Sequence, residues 1–138
     1  MFNFYDTSSL LLVVNQIRKE DNIVISSITL QELENIKTSM NKSPEVKYQA
    51  RILTRFLEEH PDYVYVQIFN ETMLDPIIEK AFTITDDMRI LATAIWYDNN
   101  VHPDDVCFYT NDLALKHLAN VFFGDADIKS VRDPQDYE

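Results

Sequence analysis

Short apolar runs of strand length alternate with longer runs of helical period, and this alternation restricts the possible folds more than any other feature. The strand-like runs cover residues 2–5, 22–26, 63–68 and 106–109, with a shorter candidate at 120–123. Helical patterns cover residues 9–17, 28–37, 45–59, 70–82, 86–97 and 111–119. Strands that alternate with helices favour a parallel sheet covered by helices on both faces. The sequence therefore predicts an α/β fold.

The chain of 138 residues is long enough for one domain with a core of its own. Its last 14 residues carry five acidic side chains, at positions 125, 127, 133, 136 and 138. We therefore predict a domain over residues 1–124, followed by an acidic tail over residues 125–138 that has the character of the start of a linker.

Composition also suggests a compartment. The single cysteine, Cys107, allows no disulfide within the chain, which is typical of proteins from reducing compartments. No run of 18 apolar residues is present, and the first residues do not have the pattern of a signal peptide. We expect a cytoplasmic protein that has no membrane contact.

Charge and glycine content exclude some functions. The one glycine, Gly124, excludes phosphate-binding loops built on several glycines. The net charge of −11 argues against broad adhesion to nucleic acid, because that adhesion depends on Lys and Arg. The basic residues are nevertheless unevenly distributed, since five of the 12 fall between positions 37 and 55.

Four acids lie where a predicted strand has ended or a predicted helix has begun: Asp6, Glu32, Asp87 and Asp112. Each has a structural explanation when it is considered alone, because helix N-termini favour carboxylates as caps and as partners of the helix dipole. Glu32, for example, follows Thr29 at the spacing of a capping box. For a single acid, capping and function both stay open.

The joint position of the four acids favours a functional centre. In a doubly wound sheet, strands 2–5 and 106–109 would lie near the middle, with their carboxyl ends at the edge where ligands bind. Carboxylates gathered there repel one another, and Mg²⁺ or Mn²⁺, which prefer oxygen ligands, would neutralise them. Such an ion supports the hydrolysis of phosphodiesters.

Other acid-based or metal-based sites fit the sequence less well. A phosphoaspartyl phosphatase-type site requires a second acid two positions after the first, but Ser8 stands there after Asp6. A receiver-type site requires an acid pair after the first strand and a late lysine on a strand. Zinc is disfavoured because the three histidines and Cys107 lack the spacing of zinc ligands.

Four segments taken together resemble the signatures of PIN domains: residues 6–11 (DTSSLL), 32–37 (ELENIK), 87–94 (DMRILATA) and 110–112 (TND). The resemblance runs from residue 2 to about residue 119. It implies a three-layer α/β/α sandwich with a central parallel sheet, and a ribonuclease that depends on Mg²⁺ or Mn²⁺. Residues 43–51 (SPEVKYQAR) are similar to the PIN domain at the N-terminus of PhoH-type proteins, where a P-loop ATPase follows.

The resemblance also implies roles for individual residues. The catalytic, metal-binding acids would be Asp6, Glu32, Asp87 and Asp112. Supporting roles would fall to Ser8, Asp86, Thr110, Asn111 and Lys116. Asp86 would be an outer acid, and Lys116, one helical turn after Asp112, would meet a phosphate as a point charge.

A stripe of basic residues is a candidate for contact with the RNA substrate. Lys47, Arg51 and Arg55 recur every four residues along one predicted helix, so they would line one face of it. Such a face suits the backbone of single-stranded RNA. The alternative is a solvated face on which Arg55 pairs with Glu58 or Glu59.

These patterns favour a metal-dependent endoribonuclease that cuts single-stranded RNA by means of metal-activated water. Two alternatives stay open: an RNA- or protein-binding PIN module with weak or no nuclease activity, and the toxin of a toxin–antitoxin pair. Besides RNA, the resemblance implies a homodimer and a fused or neighbouring P-loop ATPase as partners.

Overall fold

The structure is a computed structural model that describes residues 1–78, 83–123 and 131–132. The strands in these parts are β1 (Phe2–Tyr5), β2 (Ile23–Ser26), β3 (Val64–Gln67), β4 (Val106–Tyr109) and the two-residue β5 (Val131–Arg132). The α-helices are α1 (Thr7–Val13), α2 (Ser27–Thr38), α3 (Pro44–Glu59), α4 (Asp75–Ile78), α5 (Asp86–Asn100) and α6 (Leu113–Phe123). Short 3-10 turns occur at Val14–Gln16, Lys19–Asp21 and Glu71–Leu74.

The strands form one parallel sheet in the order β3-β2-β1-β4-β5. The sheet grows from β1 through β2 to β3, and β4 is then added on the other side of β1. Its register with β1 runs from Phe2 opposite Val106 to Tyr5 opposite Tyr109. The boundary between β1 and β4 is therefore the topological switch point, whose carboxyl edge is where open α/β sheets bind ligands.

Two apolar clusters cover the two faces of the sheet. Neighbouring strand residues point to opposite faces, so Phe4 packs in one cluster and Tyr5 in the other. The Phe4 cluster contains buried residues of α4, α5 and α6, and the Tyr5 cluster contains buried residues of α1, α2 and α3. The predicted α/β/α sandwich with a central parallel sheet is confirmed.

Polar caps fix the places where helices leave the carboxyl edge. Ser26, the last residue of β2, accepts a hydrogen bond from the Ile28 backbone N–H and so starts α2. Its hydroxyl also lies 2.9 Å from the hydroxyl of Thr93 on α5. Because both groups are buried, this contact holds α5 against the start of α2 and positions both helices at the sheet edge.

The C-terminal part of the chain differs from the prediction. Residues 120–123, predicted as a short strand, are the last turn of α6 instead. Leu115, Ala119, Phe122 and Phe123 recur at helical spacing and all pack on the Phe4 cluster. The aromatic residues favoured a strand, but packing on the cluster requires apolar residues at helical spacing, and the segment is therefore helical.

Two further helix predictions were too long. The predicted helix at 9–17 is α1 at Thr7–Val13 followed by a 3-10 turn. The predicted helix at 70–82 is a 3-10 turn followed by the single turn of α4, and residues 79–82 lie outside the described part of the chain. Of the predicted tail at 125–138, β5 pairs with β4, and the remaining residues also lie outside that part.

Within the described ranges, no helix has both the length and the apolar character needed to cross a membrane.

Candidate metal centre

Asp6 begins the site directly after β1. Its backbone N–H donates to the carbonyl of Tyr109 on β4, 3.1 Å away, so the turn is tied to both central strands. Its carboxylate accepts a hydrogen bond of 2.9 Å from the Ser9 backbone N–H and caps α1. The side chain is only 4% exposed. Asp6 therefore caps α1, as the sequence allowed, and the cap holds its carboxylate in a fixed orientation at the switch point.

Glu32 lies in the second turn of α2, half-buried, and it does not cap the helix. Because Ser26 is the cap residue, the alternative of a capping box with Thr29 is wrong. Instead, the hydroxyl of Thr7 on α1 donates to the Glu32 carboxylate at 2.6 Å. The hydroxyls of Thr7 and Thr29 lie 3.1 Å apart, which fixes the position of this donor. Glu32 is thereby bound to the start of α1, next to Asp6.

Burial is the main cause that raises the pKa of the Glu32 carboxyl above its ordinary value. The hydrogen bond from Thr7 opposes this rise, because it favours the charged form. Negative charge on Asp87, Asp86 and Asp6 raises the pKa further. These electrostatic contacts show that residues from α1, α2 and α5 face a common region.

Asp87 occupies the first turn of α5, which is capped by Thr85. It is solvent-exposed, but the surrounding walls desolvate the carboxylate enough to raise its pKa. The next causes of the rise are the charges of Asp6, Asp112 and Asp86. Asp87 therefore interacts electrostatically with the acids that follow both β1 and β4.

Asp112 follows β4 and starts α6. Its carboxylate accepts a hydrogen bond of 3.0 Å from the Leu115 backbone N–H, so it caps the helix. Its own backbone N–H donates to the hydroxyl of the buried Thr110, also at 3.0 Å. Thr110 thus shapes the turn that carries Asp112, while the neighbouring Asn111 is exposed.

Two cavities meet at Asp87. The larger, of about 350 Å³, also contacts Thr7, Ser8, Glu32 and Asp86. The smaller, of about 160 Å³, is lined by residues of α5 and α6 and includes Asp112. Asp87 therefore lies between the cavity that contains Glu32 and the cavity that contains Asp112, and it lines both.

Asp86 differs from Asp87 in its partner. The guanidinium of Arg89 lies 2.9 Å from the Asp86 carboxylate and partly neutralises it. Asp86 still lines the larger cavity, which fits the role of an outer acid. Ser8 lies exposed at the same cavity, and Lys116 is half-buried on α6, one turn after Asp112.

The predicted basic stripe lies on α3, and its three residues do not line these cavities, although Val46 next to Lys47 lines the larger one. Lys47 is half-buried, and Arg51 and Arg55 are exposed. Among the described residues, none of the three takes part in an ion pair. The alternative in which Arg55 pairs with Glu58 or Glu59 is therefore wrong.

Sequence reasoning missed Thr7, which orients Glu32, and three polar residues that line the larger cavity: Asn35, Ser39 and Lys42. Asn35 and Ser39 follow Glu32 by three and seven positions, which places them along one face of a helix. That spacing was a usable signal. Lys42 lies in the loop before α3, where no periodic pattern marks it.

The side chains at this edge of the sheet fit a hard divalent cation, because they offer carboxylate oxygens as ligands and their negative charges repel one another. In the described part of the chain, no three Asp, Glu, His or Cys side chains form a ready coordination group. The hydrogen bonds described above hold Asp6, Glu32 and Asp112 in place, so coordination by all four acids requires side-chain adjustment. Mutual repulsion between the carboxylates also favours their separation until a cation neutralises them.

An open parallel sheet with carboxylates at its switch point belongs to the class of α/β proteins that bind ligands at the carboxyl edge of the sheet. The chain belongs to the PIN domain family, because the family model described as PIN domain matches residues 4–123. Members of this family are typically nucleases that use divalent metal ions. No curated protein and no solved structure matches the chain.

Proposed function

We propose that this protein is an endoribonuclease that hydrolyses phosphodiester bonds of single-stranded RNA with Mg²⁺ or Mn²⁺. The observation that carries the proposal is the position of Asp6 and Asp112 just after the paired central strands, with Asp87 lining one cavity together with Asp112 and another together with Glu32. When bound, a divalent cation lowers the pKa of a bound water and neutralises charge on a phosphoryl oxygen.

The protein's own residues supply orientation. The Ser9 N–H fixes the Asp6 carboxylate, and the Thr7 hydroxyl fixes that of Glu32. The Leu115 N–H does the same for Asp112. The side-chain adjustment that coordination by all four acids requires therefore starts from defined orientations, which limits the freedom lost on the way to the reaction.

RNA binding requires positive charge, because contacts with phosphates supply most of the affinity. In our proposal, Lys47, Arg51 and Arg55 on α3 contact the RNA backbone outside the catalytic centre. Lys116 contacts a phosphate near Asp112. The unpaired state of the three α3 side chains supports this assignment, since no described carboxylate competes with the RNA for them.

The finer relationship that we propose is to the PIN domains of PhoH-type proteins, on the basis of residues 32–37 and 43–51. A P-loop ATPase and a second copy of the chain are the protein partners that this relationship suggests. We propose the cytoplasm as the site of action, and the single, buried Cys107, which can form no disulfide within the chain, is compatible with a reducing compartment.

The decisive experiment measures cleavage of a labelled single-stranded RNA in Mn²⁺ by wild type, Asp87→Asn and Asp112→Asn. We expect both substitutions to abolish cleavage while the fold, followed by circular dichroism, is retained. Asp104→Asn is the matched control, because it removes one exposed charge before β4, at the opposite edge of the sheet. Its left-handed backbone conformation (φ 59°) is one that Asn also tolerates.

Cleavage that persists in both variants would refute the proposal. Binding of RNA by wild type without cleavage in either metal ion would instead favour the RNA-binding module. The net charge of −11 supports testing that outcome at low salt, where weak RNA binding is easiest to detect.

A further inference from the structure

The larger cavity extends away from the acids along α2. Its wall includes Glu32, Asn35, Ile36 and Ser39, which recur at helical spacing on one face of that helix and at its end. Beyond them it reaches Lys42 in the loop before α3, and Val46 in the first turns of α3. The cavity is therefore a groove with acids at one end and an ammonium group at the other.

This charge distribution presents a problem for an anionic substrate. Glu32, Asp86 and Asp87 contribute three carboxylates to the groove, and Lys42 is the one basic residue among the described residues that line it. Lys42 is exposed and forms no ion pair with the described residues. Its ammonium is therefore available to a phosphate, while a metal ion would neutralise the acidic end.

We infer that the groove binds the RNA segment next to the cleaved bond, and that Lys42 contacts a backbone phosphate of this segment. The inference rests on the proposed function. The amide of Asn35 and the hydroxyl of Ser39 lie along the same wall and offer hydrogen-bonding groups to ribose or base edges. A volume of about 350 Å³ falls within the range of sites that hold small ligands.

Helix geometry sets the length of this segment. The seven positions from Glu32 to Ser39 correspond to roughly 10 Å along the helix axis. Lys42 lies just beyond Ser39, so it would contact a backbone phosphate at least that far from the acids, and not the phosphate of the cleaved bond.

The test compares wild type with Lys42→Ala and Lys42→Arg in steady-state cleavage of an RNA long enough to fill the groove. We expect Lys42→Ala to raise KM by about three- to fivefold, as the loss of one partly solvated charge contact implies, with a smaller effect on kcat. The slope of log(kcat/KM) against log[salt] should become shallower by about 0.7, because one phosphate contact with a single strand is lost. Lys42→Arg should restore both quantities.

A matched control is Lys19→Ala, which removes the same charge at the opposite edge of the sheet, where Lys19 pairs with Asp62 at 3.0 Å. Its salt slope should equal that of wild type. The gain in kcat/KM from a dinucleotide to the longer RNA should also be smaller in Lys42→Ala than in Lys19→Ala.

The outcomes distinguish failure of the proposed endoribonuclease function from failure of the groove as an RNA-binding site. If wild type cleaves no RNA, the proposed function fails. If wild type cleaves but Lys42→Ala has the salt slope and length dependence of Lys19→Ala, the groove assignment alone is refuted. A shallower slope that Lys42→Arg does not restore also refutes it, because a phosphate contact requires only the positive charge.

Discussion

Replacing Asp87 by Asn is the substitution that best separates a metal centre from a set of helix caps. Asp87 lies in the first turn of α5, where a negative charge interacts favourably with the helix dipole by about 0.3–1 kcal/mol. If that were its whole role, Asp87→Asn would destabilise the protein. If carboxylate repulsion is larger than the dipole effect, the same substitution stabilises the metal-free protein.

The structure favours the second result. Asp87 interacts with Asp6 and Asp112, and also with Asp86, whose charge Arg89 partly neutralises. For an assumed separation of about 5 Å, two unit charges repel by roughly 0.8 kcal/mol in water. Two full pairs and one weakened pair give about 2 kcal/mol, a figure already taken at the dielectric of water because Asp87 is exposed. After the dipole contribution is subtracted, Asp87→Asn should stabilise the metal-free protein by about 1–2 kcal/mol. For a chain of this size, that corresponds to a rise in Tm of roughly 3–8 °C.

The assay is thermal unfolding of wild type, Asp87→Asn and Asp104→Asn, each in EDTA and in Mn²⁺. Binding of an ion to the folded state alone stabilises wild type by about 2.7 kcal/mol at a hundredfold excess over Kd. The metal response should therefore be large in wild type and in Asp104→Asn, and much smaller in Asp87→Asn.

Two results would contradict this reasoning. A lower Tm for Asp87→Asn than for wild type in EDTA would show that the dipole interaction dominates. An equal response of wild type and Asp87→Asn to Mn²⁺ would show that the ion binds elsewhere on the protein.

Two further predictions concern the same carboxylates. The pKa values of Glu32 and Asp87 are raised in the folded state, so ionisation of these groups destabilises the fold at pH values above them. This destabilisation disappears as the pH falls to the ordinary pKa of a carboxyl group, roughly 4. The stability gain of Asp87→Asn over metal-free wild type should therefore shrink between neutral pH and that value, and a gain independent of pH would contradict the charge argument. Thr7→Val removes the donor to Glu32, so it should lower stability by about 1 kcal/mol and weaken the Mn²⁺ response. The control is Thr54→Val, which should leave that response unchanged because the Thr54 hydroxyl donates to the Ala50 carbonyl within α3, away from the acids. Equal responses of the two variants would mean that Thr7 does not orient a ligand.

Much of this arrangement could be predicted from the sequence, because it depends on strong local patterns. Apolar runs of strand length placed β1 and β4, and the rule for doubly wound sheets placed their carboxyl ends together. Asp6 and Asp112 then had to face one edge. The family signatures and the strand pattern identified the same residues independently.

Other features could not be predicted because they depend on contacts between distant segments. The bond from Thr7 to Glu32 joins residues 25 positions apart, and no local pattern requires it. The aromatic pair at 122–123 has the composition of a strand, and only packing on the Phe4 cluster determines that it is helical. The groove that ends at Lys42 exists because α2 and α3 pack together, which the linear pattern does not reveal.

The pairing of β1 with β4 has a consequence for the order of events during protein synthesis. These strands lie next to each other in the sheet but roughly 100 residues apart along the chain, so a ribosome completes β1 long before its neighbour exists. Asp6 and Asp112 cannot approach until that late pairing forms. A partly made chain therefore contains Asp6 but not the centre, which assembles only after β4 has been synthesised and paired with β1.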